Sequence, residues 1–152
     1  MARLGNYQQI YNGRRPGEHD GRRSNPCMEY LKTPTEEQEQ ITLFSWARMK
    51  QGEWPELRLM FHIPNGGARS KSEAARFKAA GVKAGVPDIF LPCPRGRYNG
   101  LFIELKRIKG GRVSGEQEVY LRELAQMNYA VYVCFGWEQA AKTITDYLEA
   151  EL

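Results

Sequence analysis

The segment GLFIELK, residues 100–106, has the pattern of a short strand that bears an acid and a base among apolar residues. Successive residues of a strand point to opposite faces of a sheet, so the three aliphatic side chains at 101, 103 and 105 share one face. Phe102, Glu104 and Lys106 share the other face. A carboxylate and an ammonium are therefore expected to project together from a strand that is otherwise apolar.

A second acid precedes this strand. The segment PDIFL, residues 87–91, predicts another strand, and it places Asp88 sixteen residues before Glu104. A solvent-facing pair of Glu104 and Lys106 would contribute only about 0–1 kcal/mol and would have no functional meaning. Two clustered carboxylates, in contrast, repel each other unless a cation neutralises them. Mg²⁺ takes one or two protein carboxylates together with phosphate oxygens, so the pattern predicts a metal site for phosphodiester chemistry beside Lys106.

The rest of the chain alternates between helical and strand patterns. Thr33 is expected to cap a first helix that runs to Met49, and Ser72 a short second helix. The remaining predicted elements are strands at 57–63, 88–91, 101–105 and 130–135 and helices at 114–124 and 137–152. The order α-β-α-β-β-α-β-α predicts an α/β domain with a mixed central sheet flanked by helices.

Size and composition favour one globular domain. The chain has 152 residues, of which 41% are hydrophobic and 26% charged, and no apolar run approaches the ~20 residues of a membrane span. We expect a soluble, cytoplasmic protein. Three unevenly spaced cysteines, Cys27, Cys93 and Cys134, support neither a disulfide framework nor a zinc site. Residues 1–32 are rich in Gly, Pro and Arg and are expected to form an extended basic arm, with the folded domain at 33–152.

Positive charge is concentrated in the middle of the chain. Residues 60–112 contain eleven Lys and Arg against three Asp and Glu, a net charge of +8, whereas residues 113–152 have a net charge of −5. Such a segment is either a solvated charged surface or the contact surface for a polyanion. Arg69, Lys71 and Lys83 surround the acidic motifs, which favours contact with phosphates. No recognition helix or zinc finger for reading bases is apparent, so selection by shape is expected.

Four motifs together resemble a known nuclease family. Pro87-Asp88 followed by Glu104-Leu105-Lys106 is similar to the PD-(D/E)xK signature of restriction-endonuclease-like nucleases. The surrounding segments are more specific and resemble those of the VRR-NUC family, the virus-type replication-repair nucleases. This resemblance extends from about Thr35 to Leu148. These segments are IPNGG at 63–67, GVKAGVPD at 81–88, GLFIELK at 100–106 and SGEQ at 114–117.

This resemblance implies a restriction-endonuclease-like core and cleavage of DNA with Mg²⁺, for which Mn²⁺ can substitute. It implies that Asp88 and Glu104 bind the metal and that Lys106 activates water or stabilises charge. Stand-alone viral and bacterial members of the family resemble dimeric enzymes that cut junctions. A homodimer is expected because one metal site cuts one strand, whereas resolving a four-way junction needs two paired incisions. Aromatic side chains of the C-terminal third either supply that interface or pack the domain; they are Tyr129, Tyr132, Trp137 and Tyr147.

The resemblance suggests three further site residues. An acid from the first helix is usual in the family, and Glu36, Glu37 and Glu39 all compete for this role. Glu36 fits best as a catalytic and metal-binding residue, although it would also complete a capping box with Thr33. Gln117 corresponds to a position that lines the active site, and Ser114-x-x-Gln117 is also a capping box. Asn65 lies in a glycine turn that is expected to approach DNA.

The sequence therefore predicts a metal-dependent DNA endonuclease that selects its substrate by structure, at four-way junctions or flaps. Two alternatives remain open at this stage. One is a nucleic-acid-binding domain of the same fold without catalysis, and the other is a sequence-specific restriction endonuclease.

Overall fold

A computed structural model describes residues 33–64 and 70–150 of the chain, and the side chain of Lys71 is not described. The predicted order of helices and strands is confirmed, with one added 3-10 helix at Pro55–Leu59. The predicted arm at 1–32, Asn65 and Arg69 lie outside the described residues. The helices are α1 (Glu36–Lys50), α2 (Lys71–Ala79), α3 (Gly115–Gln126) and α4 (Trp137–Glu149), and the strands are β1 (Phe61–His62), β2 (Ile89–Leu91), β3 (Leu101–Lys106) and β4 (Ala130–Phe135).

The four strands form one mixed sheet in the order β1-β2-β3-β4. β1 and β2, and β2 and β3, are antiparallel neighbours, whereas β3 and β4 are parallel. The parallel pair needs a crossover, which α3 provides. All six residues of β3 are buried, because both faces of this central strand are covered. The α/β class and the mixed sheet are therefore as the sequence predicts.

The main core lies between one face of the sheet and the helices α1 and α4. The aliphatic residues at the odd positions of β2 and β3 pack there against Leu43 and Ala47 of α1 and Ile144 of α4. On the opposite face, Leu121 of α3 packs against Val131 and Val133 of β4. Burial of each large aliphatic side chain contributes about 1.5–3 kcal/mol to folding. α1 is consequently held rigidly against the sheet, and its first turn lies at the end of β3.

The beginning of α1 differs from the sequence prediction. Thr35, and not Thr33, is the N-cap, and its side chain forms a capping box with Gln38. Two overlapping patterns, Thr33-x-x-Glu36 and Thr35-x-x-Gln38, compete for this role, and the extended backbone of Thr35 decides between them. The carboxylate of Glu36 is thereby released from capping. A similar shift occurs in α2, where Ser70 caps the helix instead of Ser72 and pairs with Glu73.

The predicted strand at 57–63 is mostly wrong. Pro55–Leu59 forms a 3-10 helix, and only Phe61–His62 pairs with the sheet. Pro55 suits the first turn of a helix because its fixed φ and missing N–H cost nothing there, and the Arg58 side chain closes the turn on the Pro55 carbonyl. The alternation of apolar residues was misleading, since Leu57 is buried but Leu59 and Phe61 are exposed.

The aromatic residues considered for a dimer interface pack the domain. Tyr147 is buried and donates a hydrogen bond to the Cys93 carbonyl. Tyr132 and Trp137 pack against the main core, and the Tyr129 ring meets Phe102 edge to face. None of the helices in the described part of the chain combines the length and apolarity needed to cross a membrane.

Candidate active site

The register between β2 and β3 brings the two predicted acids together. Ile89 pairs with Ile103 in an antiparallel ladder, so Asp88, one residue before β2, lies opposite Glu104. Residues opposite each other across antiparallel strands have Cβ atoms about 5 Å apart. The Asp88 carboxylate is held in place because its Oδ2 accepts a hydrogen bond of 3.0 Å from the Leu105 N–H.

Glu104 is the most deeply buried acid of this group, with a relative exposure of 0%. Its Oε1 lies 2.5 Å from Lys106 Nζ and accepts a hydrogen bond from Gln117 Nε2. Its Oε2 has no hydrogen-bond partner within residues 33–64 and 70–150. An unpaired buried carboxylate oxygen is costly. The solvent-facing ion pair that the sequence allowed is therefore excluded.

Burial and like charges alter the protonation of this cluster. Burial, followed by the neighbouring Asp88 charge, raises the pKa of Glu104 to about 7. Burial also raises the pKa of Asp88, against the opposing effect of its hydrogen bond from Leu105. For Lys106, burial lowers the pKa, but the hydrogen bond to Glu104 and the surrounding carboxylates outweigh it, so the net pKa is raised. The buried lysine is thus kept cationic while one of its acids is easily protonated.

Of the three competing glutamates of α1, Glu36 joins the cluster. Its Oε1 lies 3.5 Å from Lys106 Nζ, and its side chain is 45% exposed. Glu39, one turn later, is buried and accepts a hydrogen bond of 2.8 Å from the Trp137 N–H at the start of α4. Glu37 is exposed. The structure therefore places Glu36 beside Lys106 and gives Glu39 a role in joining two helices.

Gln117 completes the predicted capping box and also contacts Glu104. Its Oε1 accepts a 2.8 Å hydrogen bond from the Ser114 N–H, and its own N–H donates to Ser114 Oγ, which completes the capping box of α3. Because its amide oxygen is engaged by the cap, its Nε2 faces Glu104. The cap thus orients the amide toward the carboxylate.

Two residues near the cluster have roles that the sequence did not indicate. His62 Nδ1 lies 2.8 Å from the Asp88 carbonyl oxygen, so the end of β1 is tied to the residue that starts β2. Gly85 has a φ of +82°, and a Cβ there would lie 2.6 Å from the Glu116 carbonyl oxygen. A glycine shortly before Asp88 was the only available signal for this close approach of the chain to α3.

The donor set suits a hard divalent cation. Asp88 and Glu104 could supply oxygen ligands, and Glu104 Oε2 accepts no hydrogen bond from any described residue. Without a metal, the Lys106 ammonium provides the neutralising charge. Within 33–64 and 70–150, no three His, Cys, Asp or Glu side chains converge into a preformed metal cage. Mg²⁺ fits this arrangement because it commonly uses one or two carboxylates and completes its shell with water and phosphate oxygens.

The basic segment divides into internal and surface residues. Arg95 pairs with Glu56 at 2.6 Å and donates to the Leu148 carbonyl, so it serves the fold. Lys106 belongs to the buried cluster. Lys83 is exposed on the segment that leads to Asp88. Other exposed cations of this segment are Arg76, Lys78, Arg97, Arg107, Lys109 and Arg112.

Comparison with known proteins agrees with this architecture. Residues 34–137 match the model of the VRR-NUC domain, a span that includes Glu36, Asp88, Glu104, Lys106 and Gln117. The chain belongs to the VRR-NUC family. A solved structure described as a VRR_NUC domain protein is 31% identical, with a TM-score of 0.69, over 80% of this chain and 93% of that one. No curated protein matches. VRR-NUC is a nuclease family, which assigns the chain to hydrolases that act on DNA.

Proposed function

We propose that this VRR-NUC chain is a metal-dependent DNA endonuclease that selects its substrate by structure. The observation that supports this most directly is the cluster of half-buried Asp88 with buried Glu104 and Lys106, in which Glu104 Oε2 has no hydrogen-bond partner among the described residues. Burying one carboxylate opposite another does not by itself stabilise a fold. A site that binds a divalent cation together with a phosphodiester, in contrast, uses both carboxylates.

In this proposal Asp88 and Glu104 hold Mg²⁺ or Mn²⁺, with Glu36 as a further acid at the edge of the site. The bound ion would supply Lewis-acid activation of water and of the scissile phosphate. The Leu105 N–H orients Asp88, and Gln117 orients Glu104. Because the raised pKa of Lys106 favours its ammonium form, we assign Lys106 to stabilising the charge on the phosphorus centre and to positioning the attacking water.

The proposed DNA contacts follow the exposed part of the basic segment. Lys83 is exposed on the segment that leads to Asp88, and from the sequence we add Arg69, Lys71 and Asn65 to the proposed DNA contacts. Contacts of lysine and arginine with phosphates position a nucleic acid without reading its sequence. We therefore propose branched DNA, such as four-way junctions or flaps, as the substrate class.

We further propose that the enzyme is a homodimer. One metal cluster cuts one strand, whereas resolving a four-way junction needs two paired incisions, which a two-fold axis supplies most simply. Light scattering at micromolar concentration should then give twice 17.5 kDa. A monomer that cleaves junctions would contradict this part of the proposal.

The function is tested by incubating the protein with plasmid, single-stranded, flap and four-way-junction DNA, in Mg²⁺, in Mn²⁺ and in EDTA. We expect cleavage of branched DNA with either metal and none in EDTA. Asp88→Asn and Glu104→Gln should each lower the rate by at least about 100-fold and leave DNA binding intact. Asp146→Asn, which changes an exposed carboxylate of α4, is the matched control and should cut at the parental rate.

The same panel separates the alternatives. Binding of DNA without cleavage in every metal condition would indicate a non-catalytic binding domain. Cleavage at one sequence of the plasmid, regardless of branching, would indicate a sequence-specific restriction enzyme. Full activity of both Asp88→Asn and Glu104→Gln would move the catalytic site elsewhere in the chain.

A further inference from the structure

An open pocket of about 260 Å³ lies beside the cluster, between α1 and the edge strand β1. Its lining consists of Gln40, Ile41, Phe44, Arg48 and His62. Drug-sized ligands occupy cavities of about 300–1,000 Å³. The pocket is therefore suited to one flat ring system and is too small for a base pair.

Both walls of this pocket are connected to residues of the cluster. Gln40 follows Glu36 by one helical turn, a distance of about 6 Å along the axis, and Glu36 contacts Lys106. On the other wall, the His62 ring contacts the Asp88 carbonyl oxygen at 2.8 Å. The pocket is therefore linked to the cluster through both α1 and β1.

The lining has the chemistry of a site for a nucleobase. Phe44, which also packs against the main core, contributes an aromatic ring to the lining, and Ile41 contributes an apolar side chain from a residue that is 58% exposed. Gln40 offers an amide that can both donate and accept hydrogen bonds to the edge of a base. Arg48, whose guanidinium is held by Ser45 Oγ at 3.0 Å, supplies a cation for the backbone phosphate. Apolar faces combined with an amide and a cation match a nucleotide better than an aliphatic ligand.

We propose that this pocket receives one unpaired nucleobase next to the scissile phosphate. The inference rests on the proposed function, because it takes the DNA strand at the cluster as its starting point. A base inside a duplex is stacked and paired on both sides and cannot enter a pocket of this size. The pocket therefore favours substrates with unpaired or easily unstacked nucleotides, which are found at flaps and at the branch points of junctions.

The test compares two oligonucleotides of equal charge in EDTA, where no cleavage occurs. One is a thymidine strand of about eight nucleotides, and the other is the same strand built entirely of abasic tetrahydrofuran units. Both carry the same phosphates, so the ratio of their dissociation constants isolates the contribution of the bases. The wild-type chain should bind the thymidine strand about tenfold more tightly.

Ile41→Glu replaces an apolar wall of the pocket with a charged chain that offers no ring for stacking, and it should reduce that ratio to about twofold or less. Its charge repels both strands equally, so the ratio still isolates the bases. Val119→Glu, at a 50% exposed position of α3, is the matched control and should keep the wild-type ratio. An unchanged ratio in Ile41→Glu would overturn the proposal, and so would equal binding of both strands by the wild type. If Ile41→Glu instead shifts the molecular mass in light scattering without changing the ratio, the pocket is a contact between copies and the proposal also fails.

The ratio of dissociation constants and the molecular mass are both measured without cleavage, so the base pocket and the endonuclease activity are tested separately. A protein that discriminates the two strands but never cleaves DNA would retain the base pocket and lose the endonuclease assignment. A protein that cleaves branched DNA but binds both strands equally would retain the endonuclease assignment and lose the base pocket.

Discussion

The ammonium group of Lys106 is fixed in both position and protonation by its surroundings in the candidate site. Its Nζ lies 2.5 Å from Glu104 and 3.5 Å from Glu36 while the residue is only 6% exposed. A buried ammonium with two carboxylate neighbours has little freedom of position or of protonation. Its substitutions should therefore separate the need for a compact amine from the need for positive charge.

Lys106→Ala should lower the single-turnover cleavage rate by about 100-fold or more at saturating Mg²⁺, with DNA affinity changed little. Lys106→Arg should be nearly as damaging because the wider, planar guanidinium does not fit the space of a buried amine. Lys142→Ala, which removes an exposed lysine of α4, is the control. Parental rates in both Lys106 variants would show that this lysine has no part in the reaction.

Glu104 should make the stability of the metal-free protein depend on pH. Its pKa is raised from 4.5 to about 7 by burial and by Asp88. A carboxyl group whose pKa is higher in the folded state destabilises the fold as it ionises. The contribution of Glu104 to stability should thus be most favourable below about pH 4.5, become less favourable as the pH rises, and level off above about pH 7.

Glu104→Gln should remove this component, since glutamine mimics the protonated acid. In EDTA, the variant should match the wild type near pH 5 and exceed it by on the order of 2–3 kcal/mol near pH 8. Denaturant unfolding at the two pH values measures the difference, and Glu53→Gln, at an exposed site, should show no such divergence. Parallel pH profiles of Glu104→Gln and the wild type would contradict the raised pKa.

At the scale of elements, α1 presents two glutamates to two different partners. Glu36 faces Lys106, and Glu39 joins α1 to α4 through the Trp137 N–H. Glu36→Gln should lower the cleavage rate by about tenfold or more and leave the melting temperature unchanged.

Glu39→Ala should destabilise the fold by about 1–3 kcal/mol, because a buried N–H loses its acceptor, while the folded enzyme retains its rate. Glu37→Gln should change neither quantity.

A reversed result, with loss of activity confined to Glu39→Ala and loss of stability confined to Glu36→Gln, would show that the other glutamate serves the site. Thermal unfolding followed by far-UV circular dichroism, together with single-turnover cleavage, measures both properties on the same samples.

The close packing of Gly85 against the first turn of α3 helps to keep Gln117 in contact with Glu104. Gly85→Ala would force a Cβ to within 2.6 Å of the Glu116 carbonyl oxygen and should push the first turn of α3, with Gln117, away from Glu104. Gly81→Ala is a matched control, since its φ of +95° imposes similar backbone strain but no described atom lies within 4 Å of the added Cβ. Backbone strain should cost both variants about 1 kcal/mol of stability. Gly85→Ala should lose more because of the added clash, and only Gly85→Ala should also lower the cleavage rate. Equal rates would show that α3 tolerates the displacement.

At the scale of the whole molecule, the exposed part of the basic segment should govern DNA affinity. Neutralising Arg69, Lys71 and Lys83 together should reduce the slope of log K against log salt by about 2–3, because each cation that no longer neutralises a phosphate lowers the slope by about one. A control triple variant removes three exposed cations outside this segment, at Arg58, Arg122 and Lys142, and should keep the wild-type slope. An unchanged slope in the first variant would exclude this surface from phosphate contact. Fluorescence anisotropy at several salt concentrations measures both slopes.

Local patterns were sufficient to predict the order of helices and strands, including β2, which follows Asp88, and β3, which contains Glu104. Buried segments of alternating or continuous apolar residues, bounded by glycine and proline, are local signals, and they correctly indicated β3, β4 and the mixed α/β class. The Ser114-x-x-Gln117 box was also correct, since capping depends only on residues three positions apart. Even the clustering of Asp88 with Glu104 followed from adjacent short strands.

Where the sequence offered several equivalent residues for one position, tertiary contacts decided which of them lies at that position. Thr33 and Thr35 are both adequate caps, and Glu36, Glu37 and Glu39 are all adequate acids, so helix periodicity alone could not choose among them. The choice was made where α1 meets β3 and α4, because Lys106 and the Trp137 N–H are separated from these glutamates by many residues in the chain.

Burial was the other quantity that the sequence could not supply. The pair of Glu104 and Lys106 has the same spacing on an exposed strand as on a central one, and only the packing of both sheet faces turns it into a buried cluster with raised pKa values. Spacing along a strand determined which side chains share a face. The low dielectric around them, and hence their chemistry, arises only when α3, the neighbouring strands and the first turn of α1 exclude water from that face.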